Sequence, residues 1–189
     1  MNWSKMTLNE FQAALASSAP TPGGGTAAAV ALGQAAALAS MVCDLTLGKE
    51  KWEAGWAIAH DVHEMAAPMM NRAMELATED SNAFDRVMEG YAMPKNSDEE
   101  KDVRSKAIRT ATLNAAEVPF ETAQLALGLL EALPQLARDG NANAVTDVGV
   151  AGLLASAAAK GALFNVDINL AGLPDDMAAS LKTQSQIVG

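Results

Sequence analysis

Along most of the chain, apolar residues return every three or four positions, and short breaks rich in Gly, Pro and charge separate these stretches. Leu8, Phe11 and Leu15 predict a short amphipathic helix, opened by Thr7 and Glu10 at capping-box separation and stopped near Ser18 by Pro20 and Pro22. A glycine turn at residues 23–25 leads into an Ala-rich helix reaching about Leu47, with Gly48 placed to cap it. Helical spacing then runs from Trp52 to about Met88, with Pro68 marking a kink or a junction, and residues 90–96 read as loop. Ser97 and Glu100 repeat the capping-box spacing and open a stretch to about Arg138, interrupted at Pro119 and Pro134. Beyond Asp139-Gly140-Asn141, a fifth helix is expected from Thr146 to about Asn169 and a short sixth from Asp175 to about Gln186. The pattern predicts an all-α bundle of five to six helices, one domain over residues 1–189.

Composition supports this reading. Half of the 189 residues are hydrophobic and 19% are charged, within the range of one globular domain, and only 4% are aromatic. Residues 27–43 approach the ~20 residues needed to span a bilayer. Their content is mostly Ala, with Gly33, Gln34 and Ser40, which suits a helix packed on all sides, so no membrane partner is expected. A net charge of -10 opposes nucleic-acid binding, which depends on clustered Lys and Arg. Cys43 is the only cysteine, so neither an intramolecular disulfide nor a Cys metal cluster is available, and a reducing compartment fits. The first residues lack the apolar core of a signal peptide, giving a cytoplasmic expectation.

Several residues carry potential chemistry. Asp80 falls on the apolar stripe of Met69, Ala73, Leu76, Phe84 and Val87. A carboxylate there is either a structural acid bonded to a neighbouring helix or an acid/base group whose pKa burial has raised. Asn141, Asn143, Thr146 and Asp147 gather at the start of the fifth helix, where free N–H groups favour acceptors. Asn165 and Asn169 lie one turn apart farther along, but about 27 Å of helix rise separates Asn165 from Asp147, so the two ends cannot serve one small site within a subunit. The glycines before the Ala-rich helix resemble an anion-cradling turn, yet the Lys of a P-loop is missing. His60 and His63 lack zinc-protease spacing and read as solvated, and Cys43 reads as an inert core thiol; no metal is expected. Lys49 and Lys95 sit beside Gly or Pro in loops, where ligand contacts concentrate.

In order, Leu15-Ala16-Ser17-Ser18-Ala19-Pro20-Thr21-Pro22-Gly23-Gly24-Gly25, then Leu45-Thr46-Leu47-Gly48-Lys49, Met93-Pro94-Lys95, Glu117-Val118-Pro119, Thr146-Asp147 and the segment from Asn165 to Leu170 resemble the cyclodeaminase/cyclohydrolase family of folate enzymes. The likeness covers nearly the whole chain. It implies an all-helical homodimer that binds a tetrahydrofolate derivative as substrate, without metal or redox cofactor. The stretches around residues 15–25 and 93–101 resemble free-standing methenyltetrahydrofolate cyclohydrolases more than the fused cyclodeaminases. Hydrolysis of 5,10-methenyltetrahydrofolate to 10-formyltetrahydrofolate is therefore the expected activity. Formimidoyltetrahydrofolate cyclodeamination with release of ammonia is one alternative, and a non-catalytic folate-binding or helical interaction module is another. Such chemistry needs a group that accepts a proton from water and delivers one to nitrogen, which suits a carboxylate of raised pKa, so Asp80 and then Asp147 are the expected catalytic residues. Asn143, Thr146 and Asn165 would meet the ring or water, Gly24 and Gly25 would permit close approach, and Lys49 and Lys95 would meet the glutamate tail. Asp44, Glu50 and Trp52 depart from the family pattern.

Overall fold

Both expected capping boxes form. In the computed structural model, which describes residues 2–189, the Thr7 hydroxyl accepts from the Glu10 N–H while the Glu10 carboxylate accepts from the Thr7 N–H, opening α1 (Leu8–Leu15). After the turn containing a cis Thr21–Pro22 bond comes α2 (Gly24–Thr46), ended by Gly48 at φ 70°, a left-handed position that favours glycine. The helix starts at Gly24, so Gly24 and Gly25 form its first turn and do not belong to the loop before it. A 3-10 turn (Glu50–Gly55) then leads into α3 (Trp56–Ala92).

A third set of positions departs from the pattern. Pro68 interrupts nothing in the helix assignment of α3, and α4 (Asp98–Asp139), opened by the Ser97/Glu100 box, runs through Pro119 and Pro134. In helices this long, packing on either side sustains the backbone where proline removes a single hydrogen bond. For the same reason α3 extends past Gly90 to Ala92, shortening the expected loop. A 3-10 turn (Ala142–Ala144) precedes α5 (Val145–Leu170), and α6 (Asp175–Val188) closes the chain. Among the described residues there are six α-helices and no strand.

α2 is the central helix, packed against α3, α4 and α5. Leu32, Ala35, Ala36, Ala39, Val42 and Cys43 are all fully buried in it. Small side chains let the axes approach closely: a Cβ placed on Gly33 would already touch the Ala73 Cβ at 3.4 Å. Larger buried groups such as Leu32, Leu76, Leu129 and Leu136 each contribute about 1.5–3 kcal/mol by burial. By length and composition alone two helices could cross a membrane, those over Gly24–Thr46 and Ala142–Leu170; both supply the core of this bundle. Burial explains Cys43 as well, since it pushes the thiol up to about 12, aided by the adjacent Asp44 charge.

The N-terminal segment is tied to the same body. Trp3, in a 3-10 turn (Trp3–Lys5), is buried with Phe11, Ala29, Leu76 and Ala77, its ring edge-on to Phe11 at 6.1 Å.

Candidate active site

The start of α2 lies against the middle of α3, and this crossing builds the site. Glycine at 25 is required here: a Cβ would fall 2.3 Å from Asp80 Oδ1, so the carboxylate rests directly on the helix backbone. Thr26 Oγ1 donates to Asp80 Oδ2 at 2.8 Å and lies 3.0 Å from Ser81 Oγ. From α5, Asn165 stands over Gly24, with its Nδ2 3.5 Å from where a Cβ would be. That nitrogen donates to Gly161 O, and Asn169 Nδ2 donates to Ala115 O of α4, so both amides are oriented by backbone carbonyls. Gly24, Gly25, Asp80, Ala115, Asn165 and Asn169 line a cavity of about 330 Å³ that also touches Thr21, Phe84 and Ile168, with Thr26 and Ser81 buried behind Asp80.

Asp80 is half-buried, and burial raises its pKa, while the Thr26 hydroxyl and backbone N–H pull it down. Desolvation prevails because, among the described residues, no cation is paired with the carboxylate. The Arg72 guanidinium, one helical segment away on α3, is committed to Glu75, Glu79 and Glu121 and holds the Glu121 carboxyl below the usual range. A carboxyl whose pKa is raised above the usual range, in a polar-rimmed cavity, is suited to accept and return a proton. Phe84, expected on the buried stripe, is instead 39% exposed: beyond Asp80 the face of α3 turns from core to cavity. A second, mostly apolar groove of about 390 Å³ beside Trp3, Met6, Phe11 and Met74 offers no comparable set of polar groups.

The expected residues thus fall into two groups. Gly24, Gly25, Asp80 and Asn165 come together at one end of α2. Lys49, Asn143, Thr146 and Asp147 lie at the other, about 30 Å of helix away, where Asn141 N–H donates to Thr46 Oγ1 and Asn141 Nδ2 to Leu45 O. Asn143, Thr146 and Lys49 are exposed there, and Asp147 is half-buried in the first turn of α5. Lys95 is exposed in the α3–α4 loop, about 20 Å beyond Asp80 along α3. His60 is exposed and His63 Nε2 lies 3.4 Å from Asp44. In the sequence Thr26 is only the residue after the glycine turn and Asn169 only a neighbour of Asn165, while Ser81 and Trp3 carry no signal. Ser81 stands beside Asp80 on α3, but nothing local points to a Trp 78 positions away.

A family model described as formiminotransferase-cyclodeaminase matches residues 7–186. Methenyltetrahydrofolate cyclohydrolase of Methylorubrum extorquens is 41% identical over 169 residues, covering 89% of this chain and 81% of that protein. Formimidoyltransferase-cyclodeaminase of Gallus gallus is 34% identical over 89% of this chain, which spans only 31% of that longer protein. The crystal structure of formiminotetrahydrofolate cyclodeaminase from Thermotoga maritima matches with a TM-score of 0.84 at 30% identity, covering 96% of this chain and 87% of that one.

Proposed function

The chain belongs to the formiminotransferase-cyclodeaminase family, and from that premise we propose that it hydrolyses 5,10-methenyltetrahydrofolate to 10-formyltetrahydrofolate. The observation that carries this choice is the 41% identity to a methenyltetrahydrofolate cyclohydrolase across 81% of its length. In this reading the Asp80 carboxylate takes a proton from water as its oxygen bonds to the methenyl carbon, giving a neutral tetrahedral carbon joined to N5 and N10. Protonated Asp80 returns that proton to N5 while the C–N5 bond breaks. Loss of the hydroxyl proton leaves the formyl group on N10, with one proton released to solvent overall. The carbon keeps its oxidation level, so the step calls for no redox cofactor, and the side-chain proton carrier makes a metal unnecessary.

Gly24 and Gly25 bring the helix backbone against the ligand, and Asn165 fixes its ring by the amide oxygen. The glutamate end then runs along the α3–α4 groove next to the cavity, past Arg86 and Lys106 toward Lys95. A homodimer accounts for the remaining residues. Val150, Leu153, Phe164 and Ile168 share the outer face of α5, 47–74% exposed, an apolar stripe that a second copy would cover. Two-fold pairing about the middle of the stripe sets Asp147 of the partner subunit near Ile168 and Asn169, beside this subunit's cavity. Lys49 lies at that same distal end and would approach the partner's site. The cytoplasm, where a lone buried thiol stays reduced, is the proposed setting.

The test is loss of methenyl-folate absorbance with purified protein, corrected for uncatalysed hydrolysis. No acceleration overturns the proposal. The cyclodeaminase reading, favoured by the Thermotoga maritima structure, instead requires ammonia release from the formimino substrate. For the dimer, Phe164→Glu should sediment as a monomer, and mixing inactive Asp80→Asn and Asp147→Asn subunits should restore activity through one intact composite site. Failure of that rescue removes Asp147 from the site.

A further inference from the structure

The Asp80 carboxylate ends a row of hydrogen bonds that the reaction above leaves unused. Trp3 Nε1 donates to Ser81 Oγ at 2.9 Å, Ser81 Oγ lies 3.0 Å from Thr26 Oγ1, and Thr26 Oγ1 donates to Asp80 Oδ2 at 2.8 Å. Trp3, Ser81 and Thr26 are 4%, 2% and 0% exposed, so bulk water does not compete along the row. An indole N–H donates and cannot accept. Ser81 Oγ therefore receives that bond and keeps its own proton to give. Thr26 has one hydroxyl proton, and with that proton on the carboxylate its lone pairs are left for Ser81. All three polar hydrogens then point toward Asp80, and the direction is set at the indole.

We propose that Trp3 is a positioning residue for Asp80: through Ser81 and Thr26 it holds Oδ2 as an acceptor and leaves Oδ1, seated on Gly25, as the oxygen that takes and returns the proton. The inference rests on Asp80 being the proton carrier of the proposed reaction. Aligned hydrogen bonds polarise one another and favour the ionised carboxylate, opposing the burial that raises it. Among the described residues no other charge lines the cavity: the turn, α2, α4 and α5 contribute Thr21, Gly24, Gly25, Ala115, Asn165 and Asn169. On α3, Glu79 is held by Arg72 and Asp85 is exposed. Lys5 and Glu10 of the N-terminal segment, Glu117 of α4 and Asp167 of α5 are exposed as well.

Trp3→Phe keeps a ring against Phe11 and removes the donor. The Asp80 carboxyl carbon, assigned by its absence from the NMR spectrum of Asp80→Asn, reports the carboxylate directly. Its titration midpoint should rise by about one pH unit in Thr26→Val and by a smaller resolvable step in the same direction in Trp3→Phe, since each aligned bond strengthens its neighbour by about 10–30%. Thr26→Ser should restore the wild-type midpoint. A base with a raised midpoint is protonated sooner as pH falls, so the acid limb of kcat moves upward in the same order while KM holds. Ser81→Ala cuts the row with Trp3 still in place and decides the matter if Trp3→Phe does not fold. An unmoved midpoint in the folded variant overturns the proposal even where Thr26→Val shifts, because the row would then end at Thr26. Full turnover by Asp80→Asn would instead remove Asp80 from the reaction, and the NMR titration would still settle the row.

Discussion

Two threonines near opposite ends of α2, both fully buried, use their hydroxyls in contrasting ways. Thr46 donates to Val42 O of its own helix and accepts from the Asn141 N–H, a clasp between the end of α2 and the turn before α5. Thr26 gives its proton to a side-chain carboxylate that opens on a cavity. The first arrangement is complete within the protein. The second sets the Asp80 carboxylate in the cavity wall, held where burial disfavours its charge. Burial of a polar residue is therefore no guide to function; what matters is whether its hydrogen bonds finish inside the fold.

The sharpest break comes from Asp80→Asn, which keeps an acceptor for Thr26 and removes the proposed proton carrier; kcat should fall about 10²–10⁴-fold in the methenyl-folate absorbance assay. Gly25→Ala comes next. Its methyl would overlap Asp80 Oδ1 and push the carboxylate aside, and a misplacement of about 1 Å costs about 10²-fold in kcat. At the other end, Thr46→Val should lower stability by about 1–3 kcal/mol in urea unfolding, since it orphans the Asn141 N–H, while the acid limb of the pH profile, which reports Asp80, stays in place. A shifted profile would erase the contrast between the two ends. The smallest effect concerns Asp80 as a cost to the fold. Its raised pKa means that the folded state prefers the proton, so stability from this group is complete below about pH 4, where a free Asp titrates, and declines as pH rises through the folded value. Asp80→Asn should accordingly melt higher than the parent at neutral pH, with the gain shrinking toward pH 4 in calorimetry.

Much of this architecture was legible from local pattern. The two capping boxes, the Ala-rich helix, its glycine stop at 48 and the acid on an apolar stripe depend on neighbours within a turn or two, and each is present. Proline misled, because its local cost at 68, 119 and 134 is outweighed by packing along helices of 37 and 42 residues. Phe84 misled for a related reason: periodicity tells which side of a helix is apolar, whereas its exposure depends on where the neighbouring helices stop short and leave a cavity. The Trp3–Ser81–Thr26 row and the Asn169 bond to Ala115 O join positions dozens of residues apart. No spacing along one element could have disclosed them.

The smoothness of α2 also bears on how the protein is made. As the chain leaves the ribosome, this helix emerges ahead of the helices that cover it, with a stretch apolar enough to be mistaken for a membrane segment. Its most extensive partner, α3, is the next long helix to be synthesised. A neighbour close in sequence costs little loop entropy and can cover one side promptly. The side destined for α5 must wait for about 100 further residues, at 5–20 residues per second. For those seconds an Ala-rich surface stands bare, and the nascent chain is then most exposed to capture by chaperones or the insertion machinery.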